Sequence, residues 1–80
     1  SGRTAAAGPL AGLSDQEFEV LRLFGAGMTN HEAAAALNLS AKTIETHSLS
    51  IRRKLKLRSP AELIRTAVHL CSVERAQDGP

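Results

Sequence analysis

Three times along this chain a serine or threonine is followed three residues later by a glutamate: Ser14 with Glu17, Thr29 with Glu32, and Ser59 with Glu62. Each pair has the form of a capping box. The hydroxyl accepts from an amide of the first helical turn, and the carboxylate reaches back to the cap residue's own amide. Ser40 stands before a further periodic segment and supplies another N-cap. These start signals divide the chain into helical segments, and nothing between them alternates as a strand would. The expected fold is all-α, a bundle of four helices.

The stops and faces agree with the starts. Leu13 and Phe18 are spaced as a hydrophobic staple around the first cap, and Val20, Leu21, Leu23 and Phe24 form one broad apolar face. Gly25 and Gly27 end that helix, one of them as a left-handed C-cap. Asn38 tolerates the left-handed turn conformation that ends the second helix near Leu37. Leu39 and Ile44 staple the third helix. Its buried stripe is Ile44, Ile51 and Leu55, with His47 or Ser48 in the middle turn, and it stops near Lys56. Pro60, at the first position of the fourth helix, lacks only an amide that would have no helical partner there.

At 80 residues the chain is one domain. Residues 1–12, rich in Ala and Gly, read as a flexible linker or an expression remnant, residues 13–73 as the folded domain, and residues 74–80 as a tail. With no Trp or Tyr, few aromatic walls are available to hold a small molecule. The apolar runs are too short to span a bilayer. Cys71 is the single cysteine, which excludes an internal disulfide and fits a cytoplasmic setting.

The formal net charge is only +2, but it is unevenly placed. Lys42, Arg52, Arg53, Lys54, Lys56 and Arg58 lie close together with Glu45 as the one acid among them, whereas Asp15, Glu17 and Glu19 cluster near the front. A basic patch on an otherwise mixed surface is the footprint of a polyanion binder, and equally of a solvated charged face. The short link from Leu37 to Ser40 decides between them. A small Ala-rich helix joined by a few residues to a longer one is the helix-turn-helix arrangement, here residues 29–48. On the longer helix, about residues 41–55, Glu45, Thr46, Leu49 and Arg53 share the face opposite Ile44, Ile51 and Leu55. Those four residues are the candidates for base edges in the major groove of double-stranded DNA. Glu45 can accept from a cytosine amine, Thr46 can offer hydroxyl or methyl, and Leu49 can pack on a thymine methyl. Thr29, Asn30, Ser40, Lys42, Thr43, Arg52, Lys54, Lys56 and Arg58 are the candidates for phosphate, the Thr29 and Ser40 hydroxyls being helix caps as well.

Residues 13–70, about three quarters of the chain, resemble the DNA-binding domain of LuxR-type (GerE-like) regulators. The resemblance is carried by Thr29 and Asn30 with Glu32, by the run from Thr43 through Ile44, Glu45 and Thr46 to His47, and by Ile51 with Lys54 and Leu55. It implies a four-helix domain of a bacterial transcription factor that binds DNA as a dimer through its last helix. A signal-sensing domain would precede it in a longer parent chain. Some positions depart from the family pattern: Gln16 and Phe18 stand where basic residues are usual, Ala33 where a larger aliphatic is, and Lys56 where glycine is common. Leu49 and Ser50 are also less polar than is usual on that face.

The fourth helix carries two apolar stripes, Leu63, Ala67 and Leu70, and Ile64, Val68 and Cys71. One closes the core and the other is surplus, a partner surface for a second copy. The candidate dimer contact is Ile64, Val68 and Cys71, although the periodicity does not say which stripe faces out. An enzyme is not expected, since no nucleophile–base pair or phosphate-cradling Gly loop is present. Neither cofactor nor metal is expected: His31, His47, His69 and Cys71 do not have zinc-ligand spacing, and His47 reads as a half-buried helix residue. The competing readings are a helical protein-interaction module and a sigma-factor region 4-like domain.

Overall fold

The computed structural model describes residues 8–77. A short 3₁₀ turn, Gly8–Gly12, leads into four α-helices: α1 (Asp15–Gly25), α2 (Asn30–Leu37), α3 (Ala41–Leu55) and α4 (Pro60–Gln77). Two boundaries differ from the sequence expectation. Leu10, in the segment read as linker, packs against the core, and the Leu13 amide bonds its carbonyl at 3.1 Å. Helix α4 runs to Gln77, into the segment read as tail.

Local chemistry starts each helix as expected. Ser14 caps α1 and Thr29 caps α2, each in a reciprocal capping box, and Ser40 caps α3 by accepting from the Thr43 amide. At α4 the Ser59 hydroxyl accepts from the Glu62 amide at 3.1 Å, but Glu62 reaches one residue further back, to the amide of Arg58. That box is therefore displaced, and it anchors the α3–α4 link as well as the helix.

Three helices end in the same way. Met28 N–H bonds Leu23 O and Gly27 N–H bonds Phe24 O after α1; Leu39 and Asn38 bond Ala34 and Ala35 after α2; Leu57 and Lys56 bond Arg52 and Arg53 after α3. These are Schellman closures, which need a left-handed residue at the turn. Gly27 takes it at φ 95°, Asn38 at φ 58° and Lys56 at φ 59°. Glycine and asparagine accept that geometry readily, whereas a lysine Cβ is held against a carbonyl at a cost of about 1–2 kcal/mol.

Helix α1 is the hub, packing on α4, α3 and α2, while α2 packs across α3. Val20, Leu21 and Phe24 of α1 meet Ala33 and Ala34 of α2, Ile44 and Ile51 of α3, and Leu63 and Ala67 of α4 in one buried cluster with Leu13. Small residues set the closest approaches. A Cβ on Gly25 would lie 2.6 Å from the Ala67 carbonyl oxygen and 2.4 Å from Cys71 Sγ. Gly25 is therefore the point where α1 touches the α4 backbone, and the left-handed cap falls on Gly27.

Helix α4 resolves its two stripes. Leu63 and Ala67 are buried and Leu70 packs on the core, while Ile64 and Val68 are 40% and 44% exposed. Cys71 does not join the outward stripe. It is half-buried against the end of α1, with Sγ 3.8 Å from the Arg22 carbonyl oxygen. The third outward residue is Val73, at 41% exposure. No helix among the described residues is long and apolar enough to cross a membrane.

Candidate nucleic-acid interface

The link between α2 and α3 is Asn38, Leu39 and Ser40. The left-handed Asn38 reverses the chain, Leu39 packs on the core, and Ser40 caps the next helix. Ile44 and Ile51, both fully buried, then fix the rotation of α3 about its axis. That rotation leaves Lys42, Glu45, Thr46, Leu49 and Arg53 exposed on the opposite side, one strip running the length of the helix. The four residues expected at base edges are thus brought together, with Lys42 at the same face.

The structure sorts the expected phosphate set. Thr29, Asn30, Ser40, Lys42, Lys56 and Arg58 are exposed, and Thr43 is half-buried. The Thr29 hydroxyl is occupied by its cap, and the Ser40 and Thr43 hydroxyls lie 2.9 Å apart, sharing one hydrogen bond. Two basic residues depart from the reading of an open cationic run. Lys54 Nζ is 2.8 Å from Glu17 Oε1, an ion pair between α3 and α1. Arg52 Nη2 donates to the Arg58 carbonyl at 3.0 Å, bracing the α3–α4 link. The run also has a folding reason, because Arg52, Arg53 and Lys54 occupy the last turn of α3, where cations complement the helix dipole.

Glu17 is the residue that sequence reasoning underrated. Its cap role is present, with the Ser14 amide donating to Oε1 at 2.9 Å. The same carboxylate is buried, and it also accepts from Ser50 Oγ at 2.5 Å and Lys54 Nζ at 2.8 Å. Burial acts to raise its pKa. The bonds from Lys54, Ser50 and the Ser14 amide, with the Lys54 charge, outweigh burial and lower it from 4.5 to about 2. One buried carboxylate therefore ties α1 to the back of the helix whose front carries the exposed strip. A signal was available: Glu17 is three and four residues before Val20 and Leu21, on the buried face of α1.

The histidines are dispersed, with His47 half-buried on α3 and His31 and His69 exposed. Among the described residues no three His, Cys, Asp or Glu side chains group as metal ligands would.

A capped helix presenting an exposed polar strip, braced across a three-residue turn by a small helix, defines a helix-turn-helix DNA-binding domain. The model of the bacterial regulatory proteins of the luxR family matches residues 11–67, and the chain belongs to that family. It is a DNA-binding domain of transcription regulation, in a family of regulators rather than of enzymes. The response regulatory protein YgeK of Escherichia coli (strain K12) is 48% identical over 58 residues, covering 72% of this chain and 40% of YgeK. The oxygen regulatory protein NreC of Staphylococcus carnosus (strain TM300) is 42% identical over 60 residues, covering 75% of this chain and 28% of NreC. The chain thus spans less than half the length of either relative. Family membership sets aside the sigma-factor reading.

Proposed function

We propose that the chain is the output domain of a longer, cytoplasmic response regulator, and that it reads DNA by laying α3 in the major groove. The exposed strip of Lys42, Glu45, Thr46, Leu49 and Arg53, set opposite the buried Ile44 and Ile51, carries this reading. Glu45, Thr46, Leu49 and Arg53 face base edges, and Thr29, Asn30, Ser40, Lys42, Thr43, Lys56 and Arg58 face the flanking phosphates. A signal-receiving domain ahead of it in the parent chain is supported by YgeK, which is named as a response regulatory protein, and by the length of both relatives, which extend well past the matched segment. A second copy would meet the outward face of α4, where Ile64, Val68 and Val73 are exposed. The pair would set two recognition helices on half-sites about 10 bp apart.

A salt titration of duplex binding by fluorescence anisotropy tests the groove reading. Lys42, Arg53, Lys56 and Arg58 are the cations of the patch without a side-chain partner among the described residues, apart from the braced Arg52. Neutralising roughly four phosphates gives a slope of log K against log salt of about −3.6. A flat salt dependence, or no duplex binding at low salt, refutes the proposal.

A further inference from the structure

We propose that Thr46 and Leu49 make α3 a reader of pyrimidine C5-methyl groups, the chemistry shared by thymine and 5-methylcytosine. The inference rests on the groove-reading role given to α3 above and names what its central residues recognise.

Thr46 has two groups to offer a base, and the fold has already engaged one. Its hydroxyl turns back and donates to the Lys42 carbonyl at 3.2 Å. Serine and threonine hydroxyls in helices commonly bond the carbonyl four residues before them. With its proton engaged the hydroxyl can accept but no longer donate, and the apolar group this exposed side chain offers the groove is the Cγ2 methyl. Leu49 lies three residues on, on the same face, and is 54% exposed, the most exposed large apolar side chain among the described residues. The other exposed large apolar residues, Ile64, Val68 and Val73, all lie on α4. Leu49 therefore stands alone on α3, in the middle of a strip otherwise bearing Lys42, Glu45 and Arg53.

Together the two side chains form an apolar spot with charges at both ends. In the major groove the one apolar feature of a base edge is the pyrimidine C5-methyl, and threonine methyls and apolar side chains are its natural contacts. Three residues of helix advance roughly 4.5 Å along the axis. Base pairs follow one another at about 3.4 Å. The two contacts thus fall on the same or neighbouring pairs.

The experiment uses the 80-residue chain. Preferred duplexes are selected from a randomised pool, then resynthesised with deoxyuridine for every thymidine, and separately with 5-methylcytosine for every cytosine. Removing a contacted methyl should weaken binding about fourfold, and removing both roughly fifteenfold, from the usual transfer value of one methyl group. Thr46→Ser keeps the hydroxyl for Lys42 and loses only the methyl, so the penalty at one position should vanish in that variant. Leu49→Ala should erase the penalty at the other. Loss on uracil substitution assigns the methyl to thymine; a gain on cytosine methylation assigns it to 5-methylcytosine. If the selected duplexes bind equally with thymine or uracil and gain nothing from 5-methylcytosine, the inference is overturned while groove reading stands. A chain that selects no sequence overturns both.

Discussion

Replacing Glu17 with glutamine keeps the shape of the side chain and removes the charge on which α1 and α3 meet. In the native protein that carboxylate accepts from the Ser14 amide, Ser50 Oγ and Lys54 Nζ at once. A glutamine can keep its one oxygen on the Ser14 amide and Lys54 and turn its NH2 to Ser50 Oγ, which then accepts, so the charge is what is lost. The size of the loss follows from the pKa, which folding lowers from 4.5 to about 2. A shift of that size corresponds to about 3 kcal/mol favouring the ionised, folded form. Glu17 is only 6% exposed, so little of this is screened at the carboxylate, but Lys54 is 41% exposed and about 2–3 kcal/mol is the fairer range. Because the folded pKa is the lower one, the stabilisation is complete above about pH 4.5 and disappears as the pH falls through about 2. Urea unfolding followed by far-UV circular dichroism suits a chain without Trp or Tyr. At pH 7 the E17Q midpoint should fall by about 2–3 M, taking about 1 kcal/mol per molar for a small domain. The gap between the two proteins should then close progressively below pH 4.5. A gap that stays constant from pH 7 to pH 2.5 would refute the reasoning, because the loss would then owe nothing to the charge.

The other perturbations act on backbone and surface. Gly25→Ala gains up to about 1 kcal/mol of helix propensity and forces a methyl into the Ala67 carbonyl and Cys71 Sγ, which typically costs 1–3 kcal/mol. Its melting temperature should therefore fall, and a rise would show that α1 and α4 do not approach as closely as described. Lys56→Gly relieves a left-handed lysine at an exposed site and should raise stability by about 1 kcal/mol, roughly 4–8 °C in melting temperature. An unchanged melting temperature would mean that the turn relaxes without strain. Val68→Glu should melt like the parent and lose cooperativity on DNA carrying two half-sites, while Ala67→Glu should not fold. Full cooperativity in a folded Val68→Glu would remove α4 from the dimer proposal.

Most of the secondary structure was legible because its signals are local. A hydroxyl and a carboxylate three residues apart satisfy each other within a single turn, whatever the rest of the chain does. The boxes at Ser14 and Thr29 and the Ser40 cap therefore form where the residues stand. The buried stripe of α3 was legible for a similar reason, since periodicity alone places Ile44 and Ile51 on one face and Glu45, Thr46, Leu49 and Arg53 on another. The box at Ser59 was misread by one residue because Glu62 is long enough to choose between two amides, and the turn before Ser59 decides which it takes.

What lay beyond the sequence depends on how helices cross. Glu17 meets Ser50 and Lys54 across separations of 33 and 37 residues, and no local pattern registers such a meeting. A charge count treated Lys54 as an open cation for the same reason. The two stripes of α4 were equivalent on a helical wheel. The close approach at Gly25 rotates Ala67 inward and Cys71 against α1, leaving Ile64 and Val68 outside. By itself, the sequence determined where each helix begins, where the first three end and which side chains share a face, because caps and periodicity act within a few turns. Which stripe of α4 faces outward, and which cations of α3 stay open, were decided by the tertiary structure. Burial and ion pairing between helices depend on crossing geometry, and a chain acquires that only when its helices pack.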